Sequence, residues 1–317
     1  MTFNPAVVWV AALYGLSVAS AETPPKPSAE VPAEEIIVAA PEPRYVAPTL
    51  RDRIGRVWAP VYVNGQGPLR LVLDTGASRS AVTTVAAGRL GLLPLEGAKT
   101  VLLRGVTGAK EVPIVDVDRV EFGDLIVDPA KLLVIDDAFG GADGVLAGRG
   151  LGDRRIEIEF RRDRIDIRRS KNQRAAPGFT TLPIKLIRGH VPTVEARVGP
   201  IRVKAVIDTG AQLTMGNLAL RDALLERRRL DAKADEIVGV TGDIQEGPTS
   251  RVPPIVLNDV MVRDVHITFV DLHIFDHWRL KDEPAILIGM DVLGILDTLI
   301  IDYRRQEMQI RLVRGGS

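Results

Sequence analysis

The chain has 317 residues, 46% hydrophobic and 26% charged, so it is long enough for about two domains with their own cores. Lysine plus arginine and aspartate plus glutamate both number 41, which argues against a nucleic-acid-binding protein with a basic surface. The absence of cysteine excludes disulfides, thiolate metal sites and cysteine nucleophiles.

The N-terminus has the pattern of a secretory signal peptide. A short apolar run, Ala6–Val18, is followed by Ala19–Ala21, whose small residues predict cleavage after Ala21. We therefore expect a periplasmic or secreted protein. An uncleaved N-terminal membrane anchor is the alternative, because no lysine or arginine precedes the run. Residues 22–50 contain seven prolines and predict an extended tether, in which Glu35–Val38 has the composition of an edge strand.

The rest of the chain contains an internal repeat. Four motifs occur twice in the same order, at spacings of 134, 134, 141 and 143 residues. The pairs are Leu71–Ser78 with Ala205–Gln212, Gly105–Gly108 with Gly239–Gly242, Gly144–Gly148 with Ile286–Gly289, and Ile156–Arg168 with Leu299–Arg311. These matches predict two equivalent units, residues 51–169 and 179–317, joined by a polar linker at 170–178.

Each unit shows the same succession of predicted elements. Alternating apolar residues on both sides of a Gly/Pro turn predict an opening β-hairpin, a short helix follows, and further alternating strands close the unit. The predicted hairpins are Val57–Leu73 and Val191–Ile207, the helices Thr83–Leu90 and Leu218–Arg229, and the closing strands Ile156–Ile167 and Leu299–Leu312. The pattern favours a mostly β protein.

In both copies an apolar strand runs into Asp-Thr-Gly, a Gly-x-x-Gly segment follows about thirty residues later, and an apolar-apolar-Gly strand precedes the last strands. This combination resembles the retropepsin-type aspartic proteases, and most of all the bacterial secreted or periplasmic members with two such units in one polypeptide. The resemblance implies two retropepsin-like β-barrel units related by a pseudo-two-fold axis, with the cleft between them. It also implies an aspartic endopeptidase that works as a monomer with an intramolecular dyad.

The two aspartates explain why the motif must occur twice. Peptide hydrolysis without a covalent intermediate needs a water held between a general base and a general acid. Two carboxylates a few ångströms apart do not both ionise readily, so the pair shares a proton and supplies both groups. Asp74 and Asp208 are the predicted catalytic pair, and no metal or other cofactor is required.

The resemblance also assigns supporting residues. Gly76 and Gly210 would allow the sharp turns, and the hydroxyls of Thr75 and Thr209 would reach across to the opposite loop. Ser78 would donate a hydrogen bond to Asp74, and its counterpart Gln212 departs from the usual Ser, Thr or Asp. The predicted flaps over an extended peptide are Gly105, Val106, Thr107 and Gly108 in one unit and Gly239, Val240, Thr241 and Gly242 in the other.

Several alternatives remain open from the sequence. One is a catalytically silent peptide-binding module of the same fold, another a structural envelope protein, and a third a domain-swapped dimer in which Asp74 meets Asp208 of another chain. His273–His277 resembles an inverted metalloprotease motif with Asp for Glu, but no third ligand is evident, so a surface loop or short helix is the preferred interpretation. The expected partner is a polypeptide substrate, such as an envelope protein or a membrane-protein ectodomain, and not a nucleic acid.

Overall fold

The computed structural model describes residues 36–39, 58–105, 109–123, 125–136, 141–162, 164–227, 231–238 and 244–313. Residues 34–317 belong to one compact unit that contains both repeats. The α-helices of the described ranges are α1 (Thr84–Arg89), α2 (Leu218–Glu226), α3 (His273–His277) and α4 (Met290–Leu293). None of these helices is long and apolar enough to cross a membrane.

Strands make up most of the regular structure. The edge strand and the strands of the first repeat are β1 (Ile36–Ala39), β2 (Trp58–Val63), β3 (Gln66–Asp74), β4 (Ala81–Thr83), β5 (Thr100–Arg104), β6 (Ala109–Val117), β7 (Val120–Phe122), β8 (Leu125–Val127), β9 (Ala130–Ile135), β10 (Gly144–Ala147), β11 (Arg154–Glu159) and β12 (Arg164–Arg169). Between β11 and β12 lies a short 3₁₀ helix, Phe160–Arg162.

The second repeat contains the same kinds of strand. They are β13 (Thr180–Pro183), β14 (Lys185–Ile187), β15 (Val191–Val198), β16 (Ile201–Ile207), β17 (Met215–Gly216), β18 (Asp231–Val238), β19 (Ile244–Arg251), β20 (Ile255–Leu257), β21 (Val260–Arg263), β22 (His266–Phe269), β23 (Ala285–Ile288), β24 (Leu296–Asp302) and β25 (Glu307–Leu312).

The two large sheets have the same topology. Among the described strands, the first sheet has the order β5-β6-β9-β4-β10-β3-β2-β7-β8. The second has the order β18-β19-β22-β17-β23-β16-β15-β20-β21 at the equivalent positions, with β1 added beyond β21 and β14 paired with β15. The mostly β fold class and its two equivalent units are therefore confirmed. The Glu35–Val38 prediction is also confirmed for the described strand, since β1 pairs in parallel with β21.

Local sequence explains the opening hairpins and helices. Asn64 and Gly65 have φ of 50° and 73°, the left-handed conformations that a tight turn between β2 and β3 requires. Both predicted helices are present, and each is preceded by a capping residue whose side chain accepts an N–H hydrogen bond, Thr83 for α1 and Asn217 for α2. The second helix ends at Glu226, earlier than the sequence predicted.

A third sheet joins the repeats. Its order is β12-β11-β24-β25-β13, so β11 of the first repeat pairs directly with β24 of the second, with Ile158 opposite Leu299. Ile156, Ile158, Leu299 and Ile301 are fully buried in one core that extends through both repeats. Because this apolar surface is shared, the shared sheet fixes the two halves in one arrangement.

Candidate active site

The two Asp-Thr-Gly motifs lie at the ends of equivalent central strands. β3 ends at Asp74, and β16 ends immediately before Asp208. Each strand pairs in parallel with a buried apolar strand, β3 with β10 and β16 with β23. The apolar residues before each aspartate are buried inside these sheets, so the aspartate of each motif lies where the chain leaves the sheet.

Each carboxylate is held by its own loop in the same way. Oδ1 of Asp74 accepts hydrogen bonds from the N–H groups of Gly76 at 2.9 Å and Ala77 at 2.8 Å. Oδ1 of Asp208 accepts from the N–H groups of Gly210 at 2.9 Å and Ala211 at 3.2 Å. These bonds fix the orientation of both carboxylates in the same way.

The threonines of the two loops cross over. The hydroxyl of Thr75 donates to the carbonyl oxygen of Ile207 at 2.6 Å, and the hydroxyl of Thr209 donates to that of Leu73 at 2.7 Å. The N–H of each threonine also donates to the other threonine's hydroxyl oxygen, at 3.2 Å in both cases. All of these groups are buried, so the network ties the loops together where water does not compete.

Each glycine packs against the carboxylate of the other loop. A Cβ added at Gly210 would lie 2.5 Å from Oδ2 of Asp74, and one added at Gly76 would lie 2.8 Å from Oδ2 of Asp208. Any larger residue would therefore displace a carboxylate. The requirement for glycine in the motif comes from this close approach as well as from the turn.

We expect Gly210→Ala to lower kcat/KM for a peptide by about 100-fold, because the added methyl group displaces the Asp74 carboxylate by a fraction of an ångström or more. The free energy of unfolding should fall by about 1–3 kcal/mol, as in other overpacked sites. Steady-state kinetics and urea unfolding measure the two effects. Gly152→Ala is the matched control, because a Cβ there would meet no atom within 4 Å. Equal behaviour of the two variants would contradict the packing argument.

The two aspartates have different electrostatic environments. Burial raises the pKa of Asp208 well above its ordinary value, and the negative charge of Asp74 and a hydrogen bond with its side chain raise it further. The hydrogen bonds from Gly210 and Ala211 oppose this shift without cancelling it. Asp208 is 5% exposed, whereas Asp74 is only partly buried. Of the two aspartates, Asp208 is therefore the one that retains a proton more readily.

The remaining predicted residues have different placements. Ser78 is exposed and Gln212 is half-buried, and their influence on the aspartates stays a prediction. Gly105 is buried at the end of β5. The other predicted flap residues lie outside the described residues: Val106, Thr107, Gly108, Gly239, Val240, Thr241 and Gly242. The strands that precede and follow these segments pair as antiparallel hairpins, β5 with β6 and β18 with β19.

Two residues near the aspartates had no signal in the repeat. Asp291 accepts hydrogen bonds from the N–H of Thr214 at 3.0 Å and from its hydroxyl at 2.7 Å, which secures the loop after Asp208. It stands two residues after the repeated Ile286–Gly289 motif, but the first repeat has Gly150 there. The buried hydroxyl of Tyr303 lies close to Gly148, and burial and the charge of Asp74 raise its pKa. The equivalent residue in the first repeat is Phe160.

The His273–His277 motif forms helix α3. Nε2 of His273 lies 2.8 Å from Nη1 of Arg104, a cation, and Ile274 and Phe275 between the two histidines are buried. In the ranges that the structure describes, no three His, Asp or Glu side chains are grouped to hold a metal ion.

Comparison with known proteins agrees with the duplicated site. The family model described as aspartyl protease matches the chain twice, at residues 59–151 and 194–292, once in each repeat. Each match contains one Asp-Thr-Gly motif and the buried strand before it. No curated protein shows significant similarity to the chain. Because the two matches cover more than half of the sequence, the chain belongs to the retropepsin-like aspartyl protease family.

Proposed function

We propose that this protein is an aspartic endopeptidase in which Asp74 and Asp208 activate one water molecule between them. The observation that carries the proposal is the crossed threonine network, which supports a fixed pairing of the two Asp-Thr-Gly loops within one chain. The packing of each glycine against the opposite carboxylate supports the same pairing. An intramolecular pair is consistent with an active monomer.

The unequal environments suggest the role of each carboxyl group. Asp208 holds the shared proton, since its pKa is raised by burial, and Asp74 acts as the base. Asp74 takes a proton from the water as the water oxygen bonds to the peptide carbonyl carbon, and Asp208 protonates the carbonyl oxygen. The tetrahedral intermediate then loses its amine: the C–N bond breaks, the nitrogen takes up the proton from Asp74, and the carbonyl forms again as Asp208 recovers its own.

The flaps complete the proposed cleft. We expect the segments Gly105–Gly108 and Gly239–Gly242 to close over an extended peptide and exclude water during the reaction. The peptide would lie as an added strand, held by main-chain hydrogen bonds, with side chains such as Val106 and Val240 favouring apolar residues next to the cleaved bond. The support for this step is the pairing of strands on both sides of each segment.

The proposed location follows from the N-terminal sequence. Residues 1–21 and the tether at 22–50, apart from β1, lie outside the described residues, so export rests on the apolar run and the Ala19–Ala21 pattern. We propose a periplasmic or secreted enzyme that acts on proteins of the cell envelope or on exported proteins. N-terminal sequencing of the protein recovered from the producing cells would test cleavage after Ala21.

The experiment that tests the function is digestion of a diverse peptide library by the purified protein, with mass spectrometry of the products. We expect cleavage at internal bonds, each giving a new amino terminus and a new carboxyl terminus. The specific activity should not change with protein concentration, because both aspartates belong to one chain. A silent binding module would bind peptides and leave them intact, and a swapped dimer would lose specific activity on dilution.

The raised pKa of Asp208 gives a pH prediction. The Asp208 carboxyl group holds its proton more tightly in the folded than in the unfolded state. Folding therefore becomes less favourable as pH rises from the ordinary pKa of 3.8 to the raised pKa of the folded protein. We therefore expect the free energy of unfolding to fall over this window in the wild type and to fall less steeply in Asp208→Asn. Peptidase activity should disappear over the upper part of the same window as Asp208 loses its proton. Urea unfolding and kcat/KM measured across pH test both, and parallel stability profiles would contradict the assignment.

A further inference from the structure

A group of basic side chains from three separate segments meets beside the aspartates. Nη1 of Arg104 lies 2.8 Å from Nε2 of His273, and Nδ1 of His190 lies 3.0 Å from the carbonyl oxygen of Arg188. Nε and Nη2 of Arg188 donate to the carbonyl oxygen of His277 at 3.1 and 2.8 Å. We call these five residues the cationic cluster. It joins the end of β5 to the turn before β15 and to helix α3.

The strand register places this cluster at the catalytic end of the second sheet. β15 runs antiparallel to β16 with Thr193 opposite Val206, so its first residue, Val191, lies at the end of the sheet where Asp208 follows β16. His190 directly precedes Val191. The charge of Asp74 acts on His190, as does that of Arg149, which follows Gly148.

Apolar packing fixes the same arrangement. Val191, Ile274 and Phe275 belong to one buried cluster, and Ala211, which donates an N–H to Asp208, packs against it. Helix α3 is therefore anchored next to the Asp208 loop, with His273 and His277 on either side of its buried residues. The histidines are partly exposed.

The arginines of this region have no carboxylate partner among the described residues. Arg104, Arg149 and Arg188 are exposed and form no ion pair there, whereas many other arginines of the chain do. The acidic groups that act on the cluster are Asp276, exposed on α3, and Asp74 itself. Burial lowers the pKa of His190 and His277, and neighbouring arginines lower it further. The positive charge at neutral pH therefore comes chiefly from the arginines.

Two of the three segments of the cationic cluster, the end of β5 and helix α3, have no basic equivalent in the other repeat. The third has one in the sequence, since His190 corresponds to Arg56, which lies outside the described residues. The residue equivalent to Arg104 in the second repeat is Val238. The segment that follows β9, as α3 follows β22, reads Asp-Asp-Ala-Phe-Gly-Gly-Ala at positions 136–142 and contains no basic residue. A peptide lying across the two repeats would therefore meet Arg104 and the basic residues of α3 on one side of the bond to be cleaved, without a basic equivalent of either on the other side.

We propose that the cationic cluster binds a carboxylate side chain of the polypeptide substrate, on one side of the scissile bond, and so makes the enzyme selective for acidic sequences. The inference rests on the proposed function and adds a substrate class to it. Arg104 and Arg188 are the residues that supply the charge, because guanidinium groups remain protonated and donate two parallel hydrogen bonds to a carboxylate. His273 positions Arg104 through its ring, and His277 positions Arg188 through its carbonyl oxygen.

The test uses an apolar, internally quenched peptide in which a single Glu or Gln is placed in turn at each position around the cleaved bond. We expect the wild type to prefer Glu over Gln at one position by about 10-fold in kcat/KM, the size of a charge-assisted hydrogen bond. The double variant Arg104→Gln/Arg188→Gln should reduce this ratio to about one. Arg202→Gln is the matched control, because Arg202 is exposed near the opposite end of β16.

A second readout separates this inference from the proposed function. Binding of the same peptides is measured by fluorescence anisotropy in Asp74→Asn, with and without the double substitution, so that it does not depend on cleavage. A Glu preference that the double substitution removes, and that added salt weakens, supports the cluster. Equal binding of the Glu and Gln peptides, or a preference that survives the double substitution, overturns it. Absence of Asp74-dependent cleavage with an intact binding preference would refute the peptidase alone.

Discussion

Asp74→Asn and Asp208→Asn should each lower peptidase activity by about 100- to 10,000-fold, the usual contribution of a general acid or base. Asparagine is close to aspartate in size, and its carbonyl oxygen can accept the hydrogen bonds that the loop N–H groups donate to Oδ1. It can neither take a proton from water nor pass one to the substrate. The loss should therefore appear in kcat, with KM nearly unchanged. Peptide hydrolysis followed by mass spectrometry measures the effect.

The fold of these variants provides the control. Both loops keep the crossed threonine bonds, so thermal unfolding of Asp74→Asn and Asp208→Asn should stay within a few degrees of the wild type. Asn217→Asp is not a suitable comparison, because Asn217 caps α2 and is buried. Asp222→Asn, on the exposed face of the same helix, is suitable and should retain full activity. Substantial activity in either catalytic variant would refute an intramolecular pair.

Much of this candidate site could be predicted because its motif occurs twice in the sequence. Four motifs that occur twice in the same order, at spacings of 134 to 143 residues, are what a duplicated fold produces, and equivalent motifs then occupy equivalent places in the fold. Alternation of apolar residues in β15 and β16 and the Asn64-Gly65 turn are local signals that need no knowledge of the tertiary structure. Local and repeated information were sufficient for the fold class and for the candidate pair.

The rest depends on contacts between distant segments that have no periodic signal. The parallel pairing of β3 with β10 brings together residues more than seventy positions apart. Nothing in the sequence of either strand indicates which strand it pairs with. Arg188, His190 and Tyr303 are single residues that the repeat does not duplicate, so only their position beside the aspartates makes them notable. The histidines of α3 suggested a metal from their spacing, whereas the structure places one of them against Arg104.

A second large effect is expected at the shared sheet, where a buried ion pair joins the repeats. Arg155 in β11 lies opposite Asp302 in β24, with Nη1 3.5 Å from Oδ2, and its Nη2 donates to Gln309 at 3.1 Å. The Asp302 side chain is 0% exposed and also accepts from the hydroxyl of Ser170 at 2.8 Å. Arg155→Met should lower the free energy of unfolding by about 3–5 kcal/mol, because a buried carboxylate loses its cation. Urea unfolding at neutral pH measures this loss.

A second arginine of the same sheet shows whether the loss of stability comes from the buried ion pair or from removing any arginine. Arg164 in β12 forms an ion pair with Glu159, but the Arg164 side chain is 61% exposed. Arg164→Met should therefore lower the free energy of unfolding by only about 0–1 kcal/mol. Adding Asp302→Asn to Arg155→Met should recover part of the lost stability, because the neutral amide no longer needs a counter-charge. Because β11 and β24 hold the two repeats together, the Arg155→Met protein should also lose peptidase activity at a lower temperature than the wild type. Equal costs for the two arginines, or no recovery in the double variant, would mean that apolar packing alone joins the repeats.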